Sequence, residues 1–193
     1  PDILRSSGAE LREVGTTNIT TVDDYRAALS ERTGLVLKVH HSNFRMDGFV
    51  DEASLRDLAR ADLGGTLLVG DLGSGNLVRE VAGYRVDEPT PADWLTEGAD
   101  LVCFSGDKLL GGVQAGAIVG RRELVQRLKK NPLMRAIRVD KITYAALQAV
   151  LTRHLAGDPG GILLWQLASV PAEQVRERAA AFVERHGLPA ERF

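Results

Sequence analysis

The sequence predicts an α/β domain on a mostly parallel sheet, and three observations predict it. Short apolar runs bounded by glycines or polar residues (Leu35 to His40, Thr66 to Val69, Leu101 to Phe104) alternate with stretches of helical periodicity. Thr66-Leu67-Leu68-Val69 has no polar face, the pattern of a strand buried inside a parallel sheet. The spacers between these runs are long enough for crossover helices, which make neighbouring strands parallel.

Taken in order, Thr21-Val22-Asp23-Asp24 reads as a helix start. Thr21 caps it, the two aspartates sit at the positive end of the helix dipole, and the helix runs to about Glu31. Gly34 precedes the first strand. Asp51 to Ala61 carries Ala53, Leu55, Leu58 and Ala59 at helical spacing until Gly64-Gly65 breaks it. The second strand ends at Asp71. A polar loop with Gly73 and Gly75 follows, then a short helix, then Pro89-Thr90-Pro91 and another short helix over Ala92 to Glu97. Leu101 to Phe104 is the third strand and Ala115 to Val119 the fourth. The link from Lys108 to Gln114 is too short for a crossover helix, so the fourth strand is expected antiparallel to the third. Helices are expected over Arg121 to Lys130, Lys141 to Leu155 and Ala172 to His186, with Gly157, Pro159, Gly160 and Gly161 as a hinge.

At 193 residues the chain holds one domain, or one and part of another. It starts at Pro1 in mid-pattern and reads as part of a longer polypeptide. No run approaches the ~18 consecutive apolar residues of a membrane span, and no secretory or transit peptide is recognisable. A net charge of -2 gives no overall basic field to attract nucleic acid. The basic segment Arg121 to Lys130 carries Leu124 and Leu128 as an apolar stripe. It reads as an amphipathic surface helix, with tRNA phosphate contact as the alternative. The single cysteine, Cys103, excludes an intramolecular disulfide or a multi-cysteine zinc site and fits a reducing cytoplasm. In its apolar run it reads as a small buried hydrophobe.

Ligands of parallel sheets gather at the carboxyl ends of the strands. Asn43, Asp71 and Lys108 all fall just past expected strand ends. Lys108 alone is either a solvated surface charge or an amine desolvated by Leu109-Leu110-Gly111-Gly112 and so freed for Schiff-base chemistry. Asp71 is a loop carboxylate, a magnesium ligand, or the anion that keeps a pyridine nitrogen protonated. Asn43 is a turn residue or a donor to a phenolate oxygen. His40 or His41 is structural or stacks on a ring. As an ordered set with similar separations, Asn43, Asp71 and Lys108 resemble the fold-type-I pyridoxal-phosphate enzymes.

A more specific resemblance is carried by Leu11-Arg12-Glu13-Val14-Gly15-Thr16-Thr17-Asn18, Lys38-Val39-His40, Ser42-Asn43-Phe44, Asp71-Leu72-Gly73-Ser74-Gly75 and Phe104-Ser105-Gly106-Asp107-Lys108-Leu109-Leu110-Gly111-Gly112. It continues through Gln114-Ala115-Gly116, Ile118-Val119-Gly120 and Arg135-Ala136-Ile137-Arg138-Val139-Asp140-Lys141. On these strings the chain resembles the bacterial selenocysteine synthases, the L-seryl-tRNA(Sec) selenium transferases, over most of residues 1 to about 155. It departs from the family pattern at Ile19, His41 and Val113, where a basic residue, threonine and proline are usual.

The resemblance implies an aspartate aminotransferase-like large domain over residues 1–155, without its N-terminal part and with helices on both faces of the sheet. Residues 156–193 would begin a helical C-terminal small domain. It implies pyridoxal 5'-phosphate on Lys108, with Asp71, Asn43, His40 and Ser105 also binding the cofactor and Asp107 orienting or tuning the lysine. Arg135 and Arg138 would hold selenophosphate. The implied reaction converts seryl-tRNA(Sec) to selenocysteyl-tRNA(Sec) through an aminoacrylyl intermediate, in a cytoplasmic homo-oligomer built from dimers, with no metal and no membrane. The glycine/serine-rich phosphate loop of fold-type-I enzymes is not found in residues 1–42, and the family's tRNA-contacting N-terminal domain is absent, so these residues alone are expected to be inactive. Three rival readings are a lyase of the same sub-family acting on a free amino acid or sugar acid, a non-enzymatic RNA-binding or assembly module, and a magnesium-dependent phosphate enzyme using Asp71.

Overall fold

The computed structural model describes residues 2–187. A short α1 (Asp2–Ser6) precedes β1 (Ile19–Thr20) and α2 (Val22–Ala28). Then come β2 (Leu35–Val39), β3 (Asp51–Glu52), α3 (Leu55–Arg60), β4 (Leu67–Gly73), β5 (Glu80–Val81), β6 (Tyr84–Arg85), α4 (Pro91–Glu97), β7 (Leu101–Ser105) and β8 (Gly116–Gly120). Helices follow: α5 (Arg122–Lys130), α6 (Pro132–Ile137), α7 (Lys141–Leu155), α8 (Leu163–Ala168) and α9 (Ala172–His186).

The main sheet has the order β2-β4-β7-β8. β4 is parallel to both β2 and β7, which explains its apolar character on both faces, and β8 is antiparallel to β7 as the short link requires. The helices between strands start where the sequence can close them. Thr21 with Asp24, Ser54 with Asp57 and Thr90 with Asp93 each form a reciprocal capping box, and Pro91 occupies the first turn of α4. Gly98, at φ 118°, ends α4 in the left-handed region.

These helices pack on one face of the sheet. Leu55 and Leu58 of α3, Trp94 of α4, and Val36, Leu68, Leu72 and Val102 of the strands form the core, with Val22, Tyr25 and Leu29 of α2 against it. The cover on both faces implied by the resemblance is not completed within the described residues: Leu35, Val39 and Ile118, which point to the other face, are exposed.

Four local expectations are corrected. Asp51 and Glu52 do not start a helix; they pair in parallel with Ile19 and Thr20, and Ser54 caps the helix later. The short helix expected after Gly75 is a hairpin, β5 with β6, turned by Ala82 and Gly83, both at positive φ. The first helix ends at Ala28, short of Glu31. The hinge at Pro159 to Gly161 is a 3-10 turn capped by the Asp158 side chain, followed by α8, whose Trp165 packs with Val81, Val86 and Ile162. Arg122–Lys130 is the amphipathic surface helix expected, with Leu124 buried.

Candidate active site at the strand ends

Because β2, β4 and β7 run parallel, their carboxyl ends lie along one edge of the sheet. Val39 is in register with Asp71, and Asp71 with Cys103. The three loops that leave this edge carry Ser42 and Asn43, Asp71 to Asn76, and Ser105 to Lys108.

β4 bulges between Asp71 and Gly73, which turns the chain out of the ladder. Asp71 Oδ1 accepts the Gly73 N–H at 3.1 Å, and the Asp71 carbonyl accepts the His40 N–H at 2.8 Å. Gly73 sits at φ +65°, and a Cβ there would lie 3.5 Å from Lys108 Nζ and 3.4 Å from Ser42 Oγ. The glycine therefore keeps open the space into which the lysine amine and the serine hydroxyl point. Lys108 makes no ion pair with Asp71 or any other carboxylate among the described residues. The Leu109 N–H donates to the Ser74 carbonyl at 2.8 Å and ties the lysine turn to the aspartate loop. Gly75, at φ +66°, lets that loop pass against the Ser105 carbonyl.

The lysine is exposed, so the apolar neighbours do not desolvate it. Leu110 is buried instead, and Leu109 packs against the cluster of Val81, Val86, Ile162 and Trp165. Asp107 and Asn43 are exposed and their side chains make no hydrogen bond among the described residues. His40 Nε2 lies 2.7 Å from Glu88 Oε2, and its ring meets Trp94 edge-on at 6.1 Å. His41 stacks on Phe44 at 4.5 Å, with Nδ1 3.8 Å from Glu52, which also pairs with the buried Lys38. Cys103 donates to the Gly70 carbonyl at 3.4 Å. Burial, then the negative charge of Asp71, push its thiol up to about 11, so it is inert rather than nucleophilic.

The structure thus brings Lys108, Ser42 and the Asp71 loop together and keeps His40 and Ser105 at the same edge. Arg135 stands in the last turn of α6 and Arg138 at its C-cap. Both are exposed, and their guanidinium groups make no hydrogen bond or ion pair among the described residues. Ser42, Ser74 and Glu88 were not singled out from the sequence. Ser42 and Ser74 stand within the strings that carry the resemblance, whereas Glu88 lies in a segment without periodicity.

A parallel sheet with an antiparallel strand after a strand-end lysine is the arrangement expected of a fold-type-I large domain. The structure of a D-glucosaminate-6-phosphate ammonia-lyase superposes with a TM-score of 0.61 over 80% of this chain and 38% of that one, at 23% identity. A family model described as SelA, L-seryl-tRNA selenium transferase, matches residues 1–187, and the chain belongs to that family. The L-seryl-tRNA(Sec) selenium transferase of Carboxydothermus hydrogenoformans is 47% identical over 99% of this chain. That of Aquifex aeolicus is 52% identical over 93%. The chain spans 42% and 40% of the length of these two relatives.

Proposed function

We propose that this chain supplies the cofactor-binding strand ends of an L-seryl-tRNA(Sec) selenium transferase, which makes selenocysteyl-tRNA(Sec) from seryl-tRNA(Sec) and selenophosphate. The observation that carries the proposal is the Lys108 amine beside Gly73, whose N–H is held by the Asp71 carboxylate. An amine, a carboxylate and an open glycine cradle at one sheet edge fit pyridoxal 5'-phosphate. When bound, that cofactor supplies an electron sink for the carbanion at the serine α-carbon.

Lys108 would be the amine that holds the cofactor, and its free amine would be the base for the serine α-proton. Its exposure leaves it open to a large substrate. Asp71 keeps a proton on the pyridine nitrogen. Asn43 donates to the phenolate oxygen, His40 and Ser105 flank the cofactor, and Asp107 orients Lys108. Arg135 and Arg138, three residues apart and uncommitted, grip the oxyanion of selenophosphate with forked hydrogen bonds. Residues 1–155 form the large domain and 156–193 begin the small one, whose Ile162 and Trp165 pack back on Val81 and Val86. The working protein is a cytoplasmic homo-oligomer built from dimers.

The test is visible absorbance of the full-length protein loaded with pyridoxal 5'-phosphate, beside conversion of seryl-tRNA(Sec). Lys108→Ala is expected to abolish both the lysine-dependent band and turnover. A band that survives the substitution unchanged removes the lysine from its role.

A second reading is favoured by the structural neighbour: elimination from a free amino acid or sugar acid on the same strand ends. It predicts turnover of such a substrate by the full-length protein and no binding of seryl-tRNA(Sec).

A further inference from the structure

Glu88 stands outside every role assigned above, yet it touches two of the three loops of the site. Its Oε2 lies 2.7 Å from His40 Nε2 and accepts the Ser74 hydroxyl at 3.4 Å. A carboxylate oxygen only accepts, so in this contact His40 donates from Nε2. His40 leaves the end of β2 and gives its backbone N–H to the Asp71 carbonyl. Ser74 is buried in the Asp71 loop, and its carbonyl accepts the N–H of Leu109, the residue after Lys108.

Glu88 is itself held from behind. Its backbone carbonyl accepts the side-chain N–H of Asn76 at 2.9 Å, and Asn76 is fully buried, its amide oxygen bound by the Val78 N–H at 3.1 Å. One carboxylate oxygen thus joins the β2 loop to the β4 loop, and Ser74 passes the constraint to the turn that carries Lys108.

We infer that Glu88 is a positioning residue that fixes the relative placement of the His40, Asp71 and Lys108 loops. The inference rests on the reading of those loops as a cofactor site. It acts through hydrogen bonds whose donors are a neutral hydroxyl and an imidazole N–H, so an amide oxygen in its place does most of the same work.

The experiment uses the full-length protein as wild type, Glu88→Ala, Glu88→Gln and Ser74→Ala. Amide hydrogen exchange is measured in the cofactor-free form and affinity for pyridoxal 5'-phosphate by titration. Glu88→Ala is expected to speed exchange in peptides covering residues 39–43, 73–76 and 106–110, with α3 and β8 unchanged, and to weaken cofactor binding about tenfold. Glu88→Gln restores affinity to within about threefold of wild type, and Ser74→Ala, which removes one of two donors, falls between. Unchanged exchange in the three peptides overturns the inference, as does a glutamine variant as impaired as alanine. Should the alanine variant misfold, the glutamine and Ser74 variants still decide. The exchange arm needs no cofactor: a wild-type protein that never binds pyridoxal 5'-phosphate ends the functional reading, while the exchange pattern still decides whether Glu88 holds the loops.

Discussion

β4 and α7 are both rich in apolar residues, yet they use them in opposite ways. β4 lies between two parallel neighbours and buries Leu68 and Leu72 in the core. α7 is fifteen residues long and buries none. One stripe of α7, made by Leu147 and Val150, lies over Gly106 and Gly112 in the segment around Lys108, with His154 Nε2 3.1 Å from the Leu110 carbonyl. A second stripe at i, i+7 and i+11, Tyr144, Leu151 and Leu155, is exposed. Apolar content alone therefore does not decide what is buried; the supply of covering surface does. The helix braces the turn around Lys108 with only one of its two apolar stripes.

The largest stability effect is expected in the core beneath β4. Leu58 is fully buried among Leu55, Leu68 and Trp94. Leu58→Ala leaves a cavity there and is expected to cost about 2–5 kcal/mol, read from the shift in urea midpoint. A loss below about 1 kcal/mol means that the core collapses around the gap, and β4 is then no better packed than α7.

Gly70 tests the same face from the other direction. A Cβ at this position would run into the Trp94 ring, so Gly70→Ala overpacks the contact between β4 and α4. The expected cost is about 1–3 kcal/mol, with part of it recovered in a double variant that adds Trp94→Leu. Additive losses in the double variant place the strain elsewhere.

The helices on the core face also carry a pH signature. Hydrogen bonds from the Thr21 backbone N–H and then its hydroxyl hold the Asp24 carboxyl below its ordinary value. The Ser54 hydroxyl, then its backbone N–H, do the same for Asp57. A carboxyl lowered in the folded state contributes stability above its unfolded pKa of about 3.9, and that contribution disappears as pH falls through the folded value. Melting temperature should therefore drop on acidification below about pH 4, and Asp24→Asn with Asp57→Asn should flatten that drop. An equally steep acid limb in the double variant assigns the limb to other carboxylates.

Much of the architecture was legible in the sequence because each signal was local. Thr21 precedes an aspartate by three residues, and the glycines after Lys108 allow only a tight return; Ser54 and Thr90 carry the same spacing, but the apolar residues near Asp51 drew the second helix start too early. The order Asn43, Asp71, Lys108 anticipated one shared sheet edge for the same reason: parallel strands put their ends together. The β5–β6 hairpin was missed because its turn places Ala82, a residue without turn preference, at φ 50°. The sequence left Lys108 either solvated or desolvated by its apolar neighbours; it is exposed because Leu110 is buried and Leu109 packs against a cluster completed by Trp165, far along the chain. Glu88 was invisible for a similar reason, since its partner His40 lies 48 residues away.

The smallest effect is expected on the exposed stripe of α7. Leu155 is 89% exposed, so Leu155→Ser removes no packing and trades apolar surface for a hydroxyl in water. The expected change in unfolding free energy of these residues is within about 0.5 kcal/mol. The same substitution in the full-length protein is the sharper measurement. If it also changes little, the stripe remains bare, and α7 is held through the side that carries Leu147, Val150 and His154. A loss of about 2 kcal/mol there, where the shorter chain shows none, means that the second face is covered by chain beyond these residues or by another subunit. The helix that braces the Lys108 turn would then be clamped from both sides, and the contrast with β4 would be a property of this segment alone.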